Sequence, residues 1–222
     1  MIERAVEGFL PSRNGFPWAN GWPHVAPIRI GTGRLGIGIG DAARGLCGGM
    51  VFAVADLAAA GVPTPSDAQP APGTRRFAYI VRRQVQSFDW LRLPLAFYLA
   101  MAMPGGWRAR RSAAAVRRVV ADIDAGRPAM LGLVRVASRN PFRATENHQV
   151  LAWRYRVAGD DLAIALYDPN HPGSDDVELR LTLTPDGRSV RSVEQSTGEP
   201  LVGLLGAPYA PADPRPFRSR AG

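Results

Sequence analysis

A short part of this sequence determines its architecture: Gly-Leu-Cys-Gly-Gly-Met-Val-Phe-Ala-Val-Ala-Asp-Leu-Ala-Ala-Ala, residues 45–60. Its apolar side chains recur at helical spacing, at Leu46, Met50, Val54, Leu57 and Ala58. Gly61 and Pro63 follow and are typical of a helix end. The segment therefore predicts an apolar helix, and Cys47, the only cysteine of the chain, lies in its first turn.

The surrounding sequence predicts a helical N-terminal half. Apolar residues at helical spacing indicate three further helices, over residues 77–88, 94–103 and 110–125. Residues 9–23 are rich in Pro, Gly and aromatic side chains and predict an ordered coil pinned by its aromatic rings. Residues 25–30 predict a short strand, and the glycine-dense residues 31–40 are interpreted as a loop.

After Pro128 the pattern changes to short β-branched or alternating runs. These runs predict strands over residues 130–136, 148–157, 162–167 and 177–183. Turn residues at 159–161 and 185–187 lie between or after them, which favours an antiparallel sheet. The predicted fold class is therefore α+β, with a helical N-terminal half packed against an antiparallel β-sheet C-terminal half.

The length of 222 residues and the 46% hydrophobic content predict one folded domain and exclude a disordered chain. We interpret residues 1–206 as that domain, with a helical lobe at about 36–127 and a β lobe at about 128–206. Residues 207–222 are rich in Pro and Arg, so we predict a flexible tail there.

Charge and composition limit the partners. All 27 basic residues are arginines spread along the chain, so the net charge of +8 is more typical of solvated faces than of a nucleic-acid surface. The first residues show no secretory signal. The longest apolar run, residues 91–103, is shorter than the roughly 20 residues a bilayer needs. We therefore expect a cytoplasmic protein without a membrane or nucleic-acid partner.

The predicted position of Cys47 is the environment of a nucleophile. Unpaired backbone N–H groups and the positive end of the dipole at a helix N-terminus favour a thiolate. Gly48 and Gly49 follow the cysteine and would let a substrate backbone approach. A small, buried apolar cysteine is the alternative that this segment leaves open.

A histidine and an aspartate lie at matching places on two predicted strands. His148 opens one strand and Asp168 ends the next. If the two strands pair through the turn near Asp160, both side chains lie at the same end of the hairpin. A thiolate, an imidazole and a carboxylate in that order form the nucleophile, base and orienter of covalent acyl transfer.

Two other kinds of site are weakly indicated. Residues 31–36, Gly-Thr-Gly-Arg-Leu-Gly, match a dinucleotide-binding string, but no helix follows directly and the second half lacks βαβ alternation. The potential metal ligands His24, His148, His171 and Cys47 lack paired spacing. We therefore predict neither a metal nor a cofactor.

Three short segments carry a resemblance to a known family: Gly-Leu-Cys-Gly-Gly-Met at 45–50, Asn-His-Gln-Val at 147–150 and Leu-Tyr-Asp-Pro at 166–169. In this order they resemble papain-like cysteine peptidases, most closely the bacterial branch that includes the bacteriocin-leader-processing peptidases. The resemblance covers about residues 36–173. It implies a papain-like fold with Cys47 as nucleophile, His148 as general base and acid, and Asp168 as the group that orients His148.

The sequence departs from the pattern of that family at Asp41. Such families usually have a glutamine six residues before the cysteine, whose amide donates to the oxyanion. An ionised carboxylate accepts hydrogen bonds and cannot stabilise an oxyanion. Either the glycine-rich loop shifts the register, or another donor such as Asn20 or the Cys47 backbone N–H serves, or the catalytic power is reduced.

The expected activity is cleavage of a peptide or amide bond in a peptide or protein substrate, through an acyl-enzyme on the thiolate. The oxyanion- or substrate-binding group is expected to comprise Asp41, Gly48, Gly49, Asn147 and Asn170. Asn170 also competes with Asp168 as the orienting group. A transglutaminase-like acyl transferase would use the same residue order, and Asp41 makes a catalytically silent papain-like binding module the third alternative.

Overall fold

The computed structural model describes residues 1–22, 28–30, 37–40 and 45–218. The helices are α1 (Pro11–Asn14), α2 (Cys47–Ala59), α3 (Arg75–Ser87), α4 (Arg92–Ala102), α5 (Gly105–Asp124) and α6 (Arg215–Arg218), with a 3₁₀ turn at Pro141–Glu146. The strands are β1 (Ile2–Ala5), β2 (Ile28–Ile30), β3 (Ile37–Gly40), β4 (Ala129–Val134), β5 (His148–Ala158), β6 (Asp161–Tyr167), β7 (Glu178–Leu183), β8 (Val190–Gln195) and β9 (Gly203–Gly206).

One antiparallel sheet of seven strands forms the C-terminal half. Its order is β8-β7-β6-β5-β4-β9, and β1 pairs with β5 beside β4. Strand β5 is the longest and organises the sheet, since its first half pairs with β4 and its second half with β1. Its other edge pairs with β6 along residues 151–158.

The helices pack against this sheet and against each other, so the fold is α+β. Helix α5 packs on β4, β5 and β9, and helix α2 lies against α3 and β5. Every residue of α2 from Gly48 to Leu57 is buried. A helix that is buried all round is apolar on every face, which explains the sequence of this segment, where Asp56 is the one charged residue.

Helices α2 to α5 and strands β4 to β7 confirm the elements predicted from periodicity. Strands β1, β8 and β9 were not predicted. The loop interpretation of residues 31–40 is wrong for Ile37–Gly40, which form β3 and pair with Ile28–Ile30. The remaining residues of that loop lie outside the described part of the chain, as do residues 25–27 of the predicted strand.

The N-terminal coil is held by aromatic contacts, as its sequence predicted. Phe16 and Trp18 stack with their ring centroids 4.2 Å apart. Trp22 meets Trp18 edge-on and packs against Phe77 of α3, with centroid distances of 6.0 and 5.6 Å. Residues 11–14 of this segment form the short helix α1 rather than coil.

Residues 207–218, where the sequence predicts a flexible tail, pack onto α2 and α3. Asp56 of α2 is buried and accepts hydrogen bonds from the Tyr209 hydroxyl at 2.8 Å and from the Ala212 N–H at 2.9 Å. Arg83 of α3 is buried with it, and its Nε lies 2.7 Å from Asp56 Oδ2. The same guanidinium donates to the Ala210 carbonyl at 2.8 Å. Residues 219–222 lie outside the described part.

The pKa values of two phenols around Asp56 are raised. Burial raises the pKa of Tyr79, and the hydrogen bond from its hydroxyl to Asp56 Oδ2, 2.7 Å long, raises it further. The pKa of Tyr209 is raised for the same two kinds of reason. Both phenols therefore stay protonated and remain donors to the carboxylate at neutral pH.

None of the described helices is long and apolar enough to cross a membrane.

The buried ion pair makes a prediction about stability. Asp56→Ala leaves the Arg83 guanidinium buried without its partner, so we expect the free energy of unfolding to fall by about 3–5 kcal/mol. Tyr209→Phe removes one hydrogen bond from the same carboxylate, and we expect a loss of about 1 kcal/mol. Urea denaturation followed by tryptophan fluorescence measures both values. A loss for Asp56→Ala no larger than that for Tyr209→Phe would contradict this account of the tail.

Candidate active site

The centre of the candidate site is a buried histidine–carboxylate pair. Strands β5 and β6 pair with Leu151 opposite Tyr167, so His148 and Asp168 come to the same end of the hairpin. The Nε2 atom of His148 lies 2.7 Å from Asp168 Oδ1. The two residues are 5% and 0% exposed. The contact expected from the sequence is therefore present.

Cys47 is the first residue of α2 and lies beside this pair. It is a free cysteine, and the residue is partly exposed. The thiol lies close enough to the imidazole of His148 for each group to shift the pKa of the other. Since Nε2 faces Asp168, the Nδ1 atom of the ring is the one left for the sulfur.

These contacts shift the pKa values of all three groups. Desolvation raises the pKa of the Cys47 thiol, but the charge and hydrogen bond of His148, with the backbone N–H groups of Gln149 and Gly48, outweigh it and lower that pKa. Desolvation lowers the pKa of His148, yet the negative charges of Asp168 and then Cys47 raise it to about 10.

Asp168 completes this arrangement of charges. Its burial raises the pKa of the carboxyl, but the charge and hydrogen bond of His148 and the backbone N–H of Asn170 outweigh burial and lower that pKa to about 2. At neutral pH the pair is therefore an imidazolium and a carboxylate, and the lowered pKa of Cys47 favours its thiolate form. This is the charge state of an activated thiol nucleophile.

The glycines after Cys47 allow α2 to approach its neighbours closely. A Cβ on Gly48 would lie 2.3 Å from Ser87 Oγ and 2.5 Å from Gln149 Nε2. A Cβ on Gly49 would lie 2.2 Å from the backbone oxygen of Ile80. The structure thus places both glycines against α3 and β5, where they are buried, and not at an open surface for a substrate backbone.

The Gly49 N–H is also occupied, because it donates to Gln84 Oε1 of α3 at 2.8 Å. Gln149 in turn donates from its side chain to Ser87 Oγ at 3.2 Å. Gln149 follows His148 directly in β5, so this packing fixes the thiol end of α2 next to the imidazole.

The two asparagines expected in the substrate-binding group have different positions. Asn147 bonds within its own loop region: its Oδ1 accepts from the Arg135 N–H at 3.1 Å, and its Nδ2 donates to the Ala144 carbonyl at 3.1 Å. These bonds occupy its amide within the loop between β4 and β5. The side chain of Asn170 contacts Asn20 and not the imidazole, so Asp168 is the group on His148.

Asn20 lies beside the residues that precede the thiol. Its Oδ1 accepts from the Leu46 N–H at 2.6 Å, and its Nδ2 donates to Asn170 Oδ1 at 3.1 Å. A Cβ on Gly45 would lie 2.3 Å from Asn20 Nδ2, which explains the glycine there. Asp41, the residue at the position of the family's glutamine, lies outside the described residues, as does His24.

Two residues near the histidine–carboxylate pair were not indicated by the sequence. Gln195, the last residue of β8, donates from Nε2 to Asp168 Oδ2 at 3.0 Å. Arg135 lies next to it and donates to Gln195 Oε1 at 3.4 Å. No motif could have identified either one, because each acts through a partner far away in sequence.

His171 lies three residues after Asp168, near the pair as the sequence suggested. Its ring Nε2 is 2.8 Å from Glu199 Oε1, and its backbone N–H donates to the Asp168 carbonyl at 2.9 Å. Across the described part of the chain, no group of three or more His, Cys, Asp or Glu side chains is arranged to hold a metal ion.

No protein-family model matches the chain, and neither a curated protein nor a solved structure matches it. The geometry of this site therefore carries the argument about function.

The close packing at Gly49 leads to a prediction about stability. In Gly49→Ala the new methyl would press on a backbone oxygen that cannot move alone, so we expect the free energy of unfolding to fall by about 1–3 kcal/mol. Gly106→Ala is the matched control, since Gly106 lies in the first turn of α5 with nothing within 4 Å of an added Cβ. The control should gain about 0.4–1 kcal/mol. Urea denaturation compares the two, and the same sign for both would contradict the packing argument.

The shifted pKa values predict the pH dependence of thiol alkylation. Cys47 is the only cysteine, so the rate with iodoacetamide reports on it alone. The rate should rise with pH through an inflection below the ordinary thiol pKa of about 8.5, because the His148 charge lowers the pKa of Cys47. His148→Gln keeps a donor for Asp168 but carries no charge, so the inflection of the Cys47 alkylation rate in this variant should move to higher pH. Equal inflections in the two proteins would show that the imidazole does not activate the thiol.

Proposed function

We propose that this protein is a cysteine peptidase with a papain-like fold, which cleaves a peptide or amide bond through an acyl-enzyme on Cys47. One observation carries the proposal: a partly exposed cysteine begins a helix, and its thiol lies beside an imidazole whose Nε2 faces a buried carboxylate. A buried structural cysteine needs neither the exposure nor the charged neighbours.

The first half of the reaction follows from the charge state of the site. The Cys47 thiolate attacks the carbonyl carbon of the scissile bond and forms a tetrahedral intermediate. The His148 imidazolium then gives its proton to the leaving amine as the C–N bond breaks, which leaves a thioester on Cys47. Asp168 keeps the imidazole in the orientation that serves both steps.

The second half regenerates the enzyme with water. His148, now neutral, takes a proton from a water molecule whose oxygen attacks the thioester carbon. The intermediate collapses to release the carboxylic acid product, and the C–S bond breaks to return the Cys47 thiolate beside the reprotonated imidazole. Atoms and protons balance without a cofactor.

The oxyanion needs hydrogen-bond donors close to Cys47. The backbone N–H of Cys47 lies at the N-terminus of α2, where the helix dipole favours negative charge. The Asn20 amide is the second candidate, because its oxygen is fixed on the Leu46 N–H and its nitrogen has one N–H besides that used for Asn170.

Turnover on a panel of fluorogenic peptides and thioesters tests the proposal. We expect the wild type to hydrolyse members of the panel and Cys47→Ala to lose at least about 10³-fold in rate, because the nucleophile is gone. A peptide electrophile should label the wild type at Cys47, and peptide mapping identifies the modified residue.

Three outcomes would contradict the proposal in different ways. Activity that appears only in Asp41→Gln, which places an amide at the position of the family's glutamine, would indicate a silent binding module. Transfer to an added amine in preference to water would indicate a transglutaminase-like enzyme. No turnover in either the wild type or Asp41→Gln, together with an unlabelled Cys47, would refute the proposal that the Cys47 thiol is activated.

A further inference from the structure

Gln195 is a buried amide whose two ends have different charged partners. It is 4% exposed and lies at the end of β8, two strands away from β6. Its Nε2 donates to Asp168 Oδ2 at 3.0 Å, and its Oε1 accepts from Arg135 Nη2 at 3.4 Å. The proposed reaction as derived above makes no use of this residue.

The two partners fix the direction of the amide. A guanidinium has only donors, and an ionised carboxylate has only acceptors. A flipped amide would place its N–H groups against Arg135 and its oxygen against Asp168, so both contacts would become repulsive. Arg135 is itself held nearby, since its Nη1 lies 4.0 Å from Glu199 Oε1, the carboxylate that also contacts His171.

The donors around Asp168 divide between its two oxygens. Oδ1 faces His148 Nε2 at 2.7 Å and accepts from the Asn170 N–H at 2.9 Å. Among the described residues, Gln195 is the side chain that donates to Oδ2. The terminal torsion of an aspartate has a broad preference, so contacts and not intrinsic rotamers must hold the carboxylate in one orientation.

We propose that Gln195 is a positioning residue, which stops the Asp168 carboxylate from turning and so keeps Oδ1 on His148. Gln195 touches no reacting atom and acts through Asp168 alone. Arg135 supports it by fixing the amide. The inference rests on the proposed function, because a held imidazole matters only if it activates Cys47.

Gln195→Met is the variant that tests the proposal. Methionine has a similar length and volume but no strong donor, so it fills the space and removes the bond to Asp168. The measured quantity is the rate of Cys47 alkylation by iodoacetamide at pH 6 divided by the rate at pH 10. A turned carboxylate stabilises the imidazolium less, so we expect the Cys47 inflection to move up by about one pKa unit. The ratio then falls by about tenfold where the wild-type inflection lies above pH 6, and otherwise the shifted inflection is read from the full pH profile.

Two further variants separate positioning from folding. Glu194→Met lies on the same strand, is largely exposed, and should leave the ratio unchanged. Arg135→Met keeps Gln195 but frees its amide to turn, so it should lower the ratio in the same direction by about threefold. If Gln195→Met does not fold, Arg135→Met alone decides, and an unchanged ratio there overturns the proposal.

The outcomes distinguish this inference from the function on which it rests. If the wild type already shows an ordinary thiol inflection, the proposed function fails, and the role of Gln195 fails with it. A second outcome is a wild-type alkylation rate whose inflection lies below the ordinary thiol pKa, with the same inflection in a folded Gln195→Met. In that case Gln195 only packs β8 onto the sheet, and the proposed function stands. A lower inflection in Gln195→Met than in the wild type also overturns the positioning role.

Discussion

The close approach of α2 to α3 and β5 is the constraint on which the rest of the structure depends. Two consecutive glycines permit it, since a methyl group at either position would overlap a neighbouring atom. Gln149 of β5 packs against Gly48 of α2. His148, which precedes Gln149, therefore lies beside Cys47, which precedes Gly48. That register is what brings an imidazole to a thiol from the other half of the chain.

Two buried carboxylates show how the same group takes different tasks in one fold. Asp56 is surrounded by Arg83, two phenols and a backbone N–H, so its charge is balanced by partners that serve only stability. Asp168 has an imidazole, one amide side chain and a backbone N–H instead. The imidazole is the one partner in either set whose ordinary pKa is close to neutrality, although the charges of Asp168 and Cys47 raise it here to about 10.

The sequence was informative wherever local pattern decides structure. The helices and β4 to β7 have periodic apolar residues, and the turn near Asp160 placed His148 and Asp168 at one end of a hairpin. Strands β1 and β9 have only four residues each, and they are stabilised by pairing with β5 and β4, which lie far away in sequence. Strand β8, by contrast, pairs with its neighbour in sequence, β7.

The remaining differences have the same origin in contacts between distant residues. Gly48 and Gly49 invited a functional interpretation because the helix α3 that crowds them lies more than 30 residues later. Residues 207–218 have the composition of a loose tail, but the partner that holds them is a carboxylate in the middle of α2. Neither of these two contacts can be predicted from local composition.

The attachment of residues 209–212 to Asp56 also bears on the order of synthesis. A ribosome releases α2 and α3 long before it releases these residues, so Asp56 and Arg83 can pair with each other first but gain their contacts with Tyr209, Ala210 and Ala212 only later. The helix that carries Cys47 therefore completes the contacts of its C-terminal half only after residues 209–212 have been translated.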